Sequence, residues 1–174
     1  MNGPMLVTGR LELSLPGPDD VFAMAEIVAH PVTGKYLGAT QSRADAFARF
    51  LRNAGSWQVY GYGGFMVRLK GEPAVIGNIG VFHSYRGLGA DFDDKPEAGW
   101  ILAHDQVGKG LAGEAMRAVL AWFDAKHGLR EIVCMIDPDN AASIALAERL
   151  GFAATRRAVL PDGADVQLFN RSAL

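Results

Sequence analysis

The stretch best suited to chemistry is Gly108-Lys-Gly110-Leu-Ala-Gly113-Glu114. A strand-like apolar run, Gly99-Trp-Ile-Leu-Ala103, precedes it, and a helical pattern from Leu111 to Lys126 follows. Glycine at a strand–helix junction permits a tight turn and lets a ligand approach the backbone without a Cβ in the way. The first N–H groups of a helix lack partners and carry the positive end of its dipole. Val107, Gly108, Lys109, Gly110, Leu111 and Ala112 therefore suit a phosphate. Gly108-x-Gly110-x-x-Gly113 also matches a dinucleotide fingerprint, with Asp137 where a ribose-binding acid belongs. That fingerprint normally opens its fold, whereas here most of the chain comes first and too little follows Asp137 for the remaining strand–helix units. A Walker A loop fails, because Gly110 stands where Ser or Thr should hold the metal. The plainest alternative is a tight turn without a ligand.

The other reactive residue types carry weaker signals. Cys134 is the single cysteine and lies in Ile132-Val-Cys-Met-Ile136, which predicts a buried, inert thiol and a reducing, cytoplasmic setting. Four histidines are scattered without ligand spacing, so no metal site is expected. Trp57, Tyr60, Tyr62 and Phe65 read as packing residues. Asp91, Asp93 and Asp94 cluster in one loop and would raise the local concentration of a cation; a merely solvated loop is the alternative.

These residues need elements to hold them. Thr8 to Leu15 alternates as a first strand, and Pro18 or Asp19 opens a helix to about His30. Ser42-x-x-Asp45 resembles a capping box before a helix carrying Ala46, Phe47, Phe50 and Leu51. Gly64 to Leu69 and Ala74 to Phe82 form a hairpin around Lys70-Gly-Glu-Pro73. Tyr85 to Pro96 reads as a polar loop and Glu97 to Ala103 as a strand. After the Leu111 helix come a strand Glu131–Asp137, a helix Asn140–Leu150, a strand Ala153–Val159 and a last strand ending near Asn170. The order predicts a mixed α/β (α+β) fold of about seven strands and four helices.

With 174 residues, 49% of them hydrophobic, the chain is long enough for one domain, 1–174, around a hydrophobic core. A net charge of −2 offers no electrostatic case for nucleic acid or an anionic membrane. No apolar run reaches the length of a bilayer span, and Met1 to Leu6 lacks a signal-peptide pattern.

Taken in order, Gly108-Lys-Gly110-Leu-Ala112 with Glu114-Ala115, then Asp139-Asn140-x-x-Ser143 and Glu148-Arg-Leu-Gly-Phe152, resembles the GNAT superfamily of N-acetyltransferases. Within it, the chain is similar to the branch of bacterial ribosomal-protein N-terminal acetyltransferases. Thr8-Gly-Arg-Leu-Glu-Leu13 and Pro96-Glu-Ala-Gly-Trp100 resemble that branch's first and fourth strands. The resemblance implies a strongly twisted mixed sheet whose central strands splay to form a cofactor slot, and acetyl-CoA as co-substrate. It sets the pyrophosphate on the backbone of Val107 to Ala112 and the pantetheine beside Trp100, Ile101 and Leu102, with Asn140 holding the arm. Val107 departs from the superfamily, which often has Gln or Arg there; Lys109 is the substitute charge.

Transfer to an amine needs a neutral amine, a proton acceptor and a donor for the departing thiolate. Glu97, at the start of the slot strand, is the candidate base. The tyrosine that many relatives use as thiolate donor is absent, since Ala147 occupies its position, and Ser143 takes the role as in some of the ribosomal-protein branch. Ser143 as a simple helix cap, and His83 or His104 as proton relays, stay open. The expected acceptor is a cationic primary amine, of a protein N-terminus or a small molecule, in a groove between the early helices and the last hairpin. Residues 30–42 are the variable loop of that groove. A homodimer is possible. A non-catalytic acyl-CoA-binding domain and an NAD-binding oxidoreductase are the alternatives.

Overall fold

The computed structural model describes residues 3–38 and 42–172. The strands are β1 (Leu6–Val7), β2 (Leu11–Ser14), β3 (Gly64–Leu69), β4 (Val75–His83), β5 (Pro96–Leu102), β6 (Ile132–Ile136), β7 (Ala153–Val159) and β8 (Asp165–Arg171). The helices are α1 (Asp20–Ala29), α2 (Pro31–Gly34), α3 (Arg43–Tyr60), α4 (Ala90–Asp93), α5 (Leu111–His127) and α6 (Ala141–Arg149). A 3₁₀ turn, His104–Gln106, links β5 to the glycine turn.

The strands form one mixed sheet in the order β1-β2-β3-β4-β5-β6-β8-β7. Every neighbouring pair is antiparallel except β5–β6. Helix α5 repeats buried residues at Leu111, Ala115, Met116, Val119, Leu120 and Phe123, a helical stripe. This stripe packs on Phe65, Val67, Ile79, Val81 and Ala98, which share one face of the sheet. The opposite face is covered by α1 and α3, whose Val21, Met24 and Phe50 pack on Met66 of β3. A second small cluster, Leu88, Phe92, Val133, Val166 and Leu168, lies under α4.

Local chemistry fixes the ends of these elements. The Ser42 hydroxyl accepts from the Asp45 amide and the Asp45 carboxylate accepts from the Ser42 amide, the reciprocal box its spacing predicts. Helix α3 stops at Gly61, whose φ of 75° needs no Cβ.

The fold differs from the sequence expectation in its small elements. Strand β1 and the one-turn helices α2 and α4 are too short to leave a periodic pattern. The expected polar loop 85–96 is organised instead around two buried side chains, Phe92 and Asp93. Asp93 accepts from the amides of Arg86, Leu88 and Gly89 at 2.8–2.9 Å. Burial works against its charge, but these amides outweigh it and hold the carboxyl below its usual range.

Candidate active site

Strand β5 is paired with β4 along its whole length, from Pro96 to Leu102. On its other edge a single position, Glu97 opposite Val133 of β6, is in register. Beyond it the two parallel strands separate, which leaves the main-chain polar groups on that edge of β5 without a ladder. Strand alternation sends Trp100 and Leu102 to the α5 face and Glu97, Gly99 and Ile101 to the opposite face. Both Trp100 and Leu102 belong to the α5-side core.

The slot leads to the glycine turn. Val107 is 57% exposed, whereas Leu111 is buried and anchors the helix start. Gly108 (φ 81°) and Gly110 (φ 75°) both take left-handed conformations, which disfavour a side chain. A Cβ on Gly108 would meet nothing within 4 Å, so the outer side of the turn is open. Helix α5 makes its first backbone bond from Glu114 N–H to Gly110 O. The N–H groups of Leu111, Ala112 and Gly113 find no partner among the described residues.

The turn is tied to the start of the sheet. Glu114 accepts from the Thr8 hydroxyl at 2.6 Å, the Arg10 amide at 2.9 Å and Arg10 Nε at 2.7 Å. Arg10 also donates to Lys109 O at 2.9 Å. Hydrogen bonds from Thr8 and Arg10, with the Arg10 charge, hold the Glu114 carboxyl below its usual range despite partial burial. Lys109 Nζ rests on Gln106 Oε1 at 3.1 Å.

Ser143 and Asn140 sit at the start of α6, beside Trp100. Trp100 Nε1–H donates to Ser143 Oγ at 3.2 Å. Asn140 caps α6, its Oδ1 accepting from the Ser143 amide at 3.1 Å. One lone pair of the Asn140 oxygen is thus used on the helix, and its Nδ2–H₂ makes no bond among the described residues.

Glu97 is 3% exposed, at the bottom of the fork rather than at an exposed strand start. Arg86 clamps it with two bonds, Nη2 to Oε1 at 2.8 Å and Nε to Oε2 at 3.0 Å. The Ser84 hydroxyl also donates to Oε2. Glu97 and Ser143 therefore flank the fork from opposite faces of β5 and are not brought together. Arg86 and Ser84 were missed in the sequence because nothing in their spacing points at Glu97. Burial, with Glu97 nearby, pushes the Cys134 thiol up, as its apolar setting predicts.

The early helices bridge the open end of the fork. The His30 ring, at the end of α1, stacks flat on His104 with centroids 3.6 Å apart. Tyr36 donates to Asp139 O at 3.4 Å, next to the α6 cap. One short segment thus touches the end of β5 and the end of β6. His83 lies at the base of the fork, on β4 opposite Pro96 and next to Ser84 in the chain, with its ring stacked on Tyr60 at 4.5 Å. Residues 39–41 of the expected acceptor loop lie outside the described residues.

The expected electrostatic role of Asp91 and Asp93 does not hold. Arg156 takes Asp91 in a two-bond pair at 2.8 and 2.9 Å, and Asp93 is consumed by backbone amides. Only Asp94 is left exposed and free of such partners. Among the described residues no group of three or more His, Cys, Asp or Glu is arranged to hold a metal ion, and no helix is long and apolar enough to cross a membrane.

This architecture has known counterparts. A GnaT-family acetyltransferase from Bordetella pertussis superposes with a TM-score of 0.85 and 32% identity, over 96% of this chain and 98% of that one. An acetyltransferase from Agrobacterium tumefaciens gives 0.82 and 27%, over 98% and 95%. A ribosomal L7/L12 α-N-protein acetyltransferase, solved in complex with coenzyme A, gives 0.73 over 97% of each chain; at 19% identity it speaks for the fold alone. Residues 10–153 match the family described as the acetyltransferase (GNAT) domain. With the fork, the free helix start and the capped Asn140-x-x-Ser143 turn in place, this chain belongs to the GNAT acetyltransferase family.

Proposed function

We propose that this enzyme transfers acetyl from acetyl-CoA to a primary amine, carried by a protein N-terminus or a small molecule. The observation that supports it best is the fork between β5 and β6 leading to the unpartnered amides of Leu111, Ala112 and Gly113. These groups fit a pyrophosphate at a helix start, with Lys109 close by. Acetyl-CoA, when bound, supplies an activated acyl thioester. The unpaired edge of β5 at Trp100, Ile101 and Leu102, and the Nδ2 of Asn140, suit the pantetheine arm. The topology speaks against the NAD-oxidoreductase alternative, because the glycine turn follows five strands of a mixed sheet.

Ser143 is proposed as the proton donor to the thiolate. Its Oγ already accepts from Trp100, so its own proton is directed away from that indole. Glu97 is proposed to receive the amine proton. Arg86 occupies both of its oxygens, so the proton travels by way of the Ser84 hydroxyl or a water rather than by direct contact. The reaction belongs in the cytoplasm, where the single cysteine stays reduced.

The test is release of free CoA thiol with a panel of amines, using the wild type and Gly110→Asp. The wild type should release CoA only when an amine is present. Gly110→Asp should bind acetyl-CoA poorly, because it sets a side chain and a negative charge at the helix start. Undiminished acetyl-CoA affinity in that variant would remove the pyrophosphate site from 107–112.

A further inference from the structure

Helix α3 presents Ala46, Arg49, Phe50, Asn53, Ser56 and Trp57 toward the body of the protein, at helical spacing. All are buried or half-buried. One member of this inward stripe is a full positive charge. Asn53 is accounted for, bonded to Asn78 and to the Gly64 amide. Arg49 forms no hydrogen bond and no ion pair with any described residue. Among the neighbouring arginines, Arg68 pairs with Asp20, Arg86 pairs with Glu97 and Arg43 lies over the Phe22 ring at 5.0 Å, while Arg52, also without a partner among the described residues, is exposed to solvent.

Arg49 is half-buried, and a guanidinium drawn partly out of water without an anion carries a desolvation cost that a bound anion would offset. Its surroundings make matters worse. Burial, and then the charges of Arg86 and Arg52, push Arg49 below the ordinary arginine value; the nearby negative group, Glu97, already belongs to Arg86. Arg49 lines a cavity of about 400 Å³ between α1, α2 and α3, together with Ala25, His30, Lys35, Arg43 and Ala46. No aspartate or glutamate lines it among the described residues. The cavity has the size of a small-molecule site.

It also adjoins the fork. His30 is part of its wall and stacks on His104 at the end of β5. The charges that act on Arg49 include Glu97 and Arg86, at the fork's base. A ligand anchored on Arg49 would therefore reach toward the reacting end of the slot.

Resting on the transferase reading, we infer that the acceptor carries an oxyanion, a carboxylate or a phosphate, besides its amine, and that Arg49 receives it in this cavity. A guanidinium can bind either group by two parallel bonds. The expected substrate is thus a small zwitterionic amine, not the simple cation that the acidic loop predicted. Lys35 and Arg43 add positive potential at the rim.

Two measurements test this. In the first, CoA release is followed, at matched concentrations of free amine, with anionic and neutral acceptors: glycine against glycinamide, phosphoethanolamine against ethanolamine, and a C-terminally amidated peptide without acidic residues. The wild type should prefer an anion-bearing member by about 10–100-fold in kcat/KM, the range for a hydrogen bond to a charged group. The better of the two anionic acceptors identifies carboxylate or phosphate as the source. Arg49→Gln should bring that ratio close to one, through KM, while Arg49→Lys keeps part of it. Equal use of both members by the wild type, or preference for the peptide, overturns the inference while leaving acetyl transfer intact.

The second measurement does not depend on turnover and needs of the Arg49→Lys variant only that it folds. The Arg49 Nε–H resonance of the wild type, identified by its loss in Arg49→Lys, is titrated with sodium acetate and with inorganic phosphate, against sodium chloride of equal ionic strength. A saturable shift with either oxyanion supports the site. No saturable shift with both overturns it. A saturable shift in a protein that releases CoA to no amine would instead sink the transferase reading and keep the anion site.

Discussion

At the scale of single residues, Glu97 has two duties that pull in different directions. It is the carboxylate paired with the Arg86 guanidinium, and it is the proposed proton acceptor. Glu97→Gln keeps the shape but loses the charge, leaving Arg86 half-answered. Removing one member of a buried pair is strongly destabilising, and the isosteric amide should recover part of it, so a loss of about 2 kcal/mol in urea unfolding is expected. Turnover at neutral pH should fall by about 10²–10⁴, the span of general-base catalysis, and recover in part at high pH, where free amine is plentiful. Full turnover of a folded Glu97→Gln enzyme at pH 7 would take Glu97 off the proton path. Ser143→Ala should cost less in rate, because water can replace a hydroxyl. It leaves Trp100 Nε1–H without its acceptor, a stability loss of about 1 kcal/mol readable in the same unfolding experiment.

At the scale of elements, the glycine turn works because something holds it against the sheet, and that is Glu114. Its bonds to Thr8 and Arg10 join the β1–β2 turn to the first turn of α5. The carboxyl is held below its usual range, chiefly by the Thr8 hydroxyl. A depressed carboxylate contributes its stability above the unfolded value, about pH 4.3, and loses it as pH falls through the lower folded value. The stability gap between wild type and Glu114→Gln should therefore be constant from neutral pH down to about pH 5 and then close on further acidification. A gap that stays open in acid would mean that the hydrogen bonds, not the charge, hold the two elements together. The α6 cap is a second such device. Asn140→Ala removes it, with an expected loss of about 1 kcal/mol, and should raise the KM for acetyl-CoA more than it lowers kcat. A fall in kcat alone would move Asn140 from binding to chemistry.

At the scale of the whole molecule, a sheet that separates along β5–β6 forgoes ladder hydrogen bonds at its centre. A ligand that fills the fork binds only the folded form, so acetyl-CoA should raise the melting temperature with its concentration, and NAD should not. An equal shift with NAD would revive a dinucleotide site at the glycine turn. Much of this molecule was legible in the sequence. The periodicity of Leu111 to Phe123, the capping box at Ser42 and Asp45, and the glycine-rich helix start at 108–113 are local, and local rules govern them. The order of elements with Asn140-x-x-Ser143 and Leu150-Gly-Phe152 was enough to point to the family. Partnership was not legible. Arg86 finds Glu97 across a loop, Arg156 finds Asp91 and Thr8 finds Glu114 because the sheet brings them within reach, and no spacing along the chain encodes those meetings. Arg49 belongs with these: the sequence pattern sets Ala46, Phe47, Phe50 and Leu51 on the apolar face of its helix, but the structure exposes Phe47 and Leu51 and turns Arg49 inward, where no carboxylate comes to meet it among the described residues.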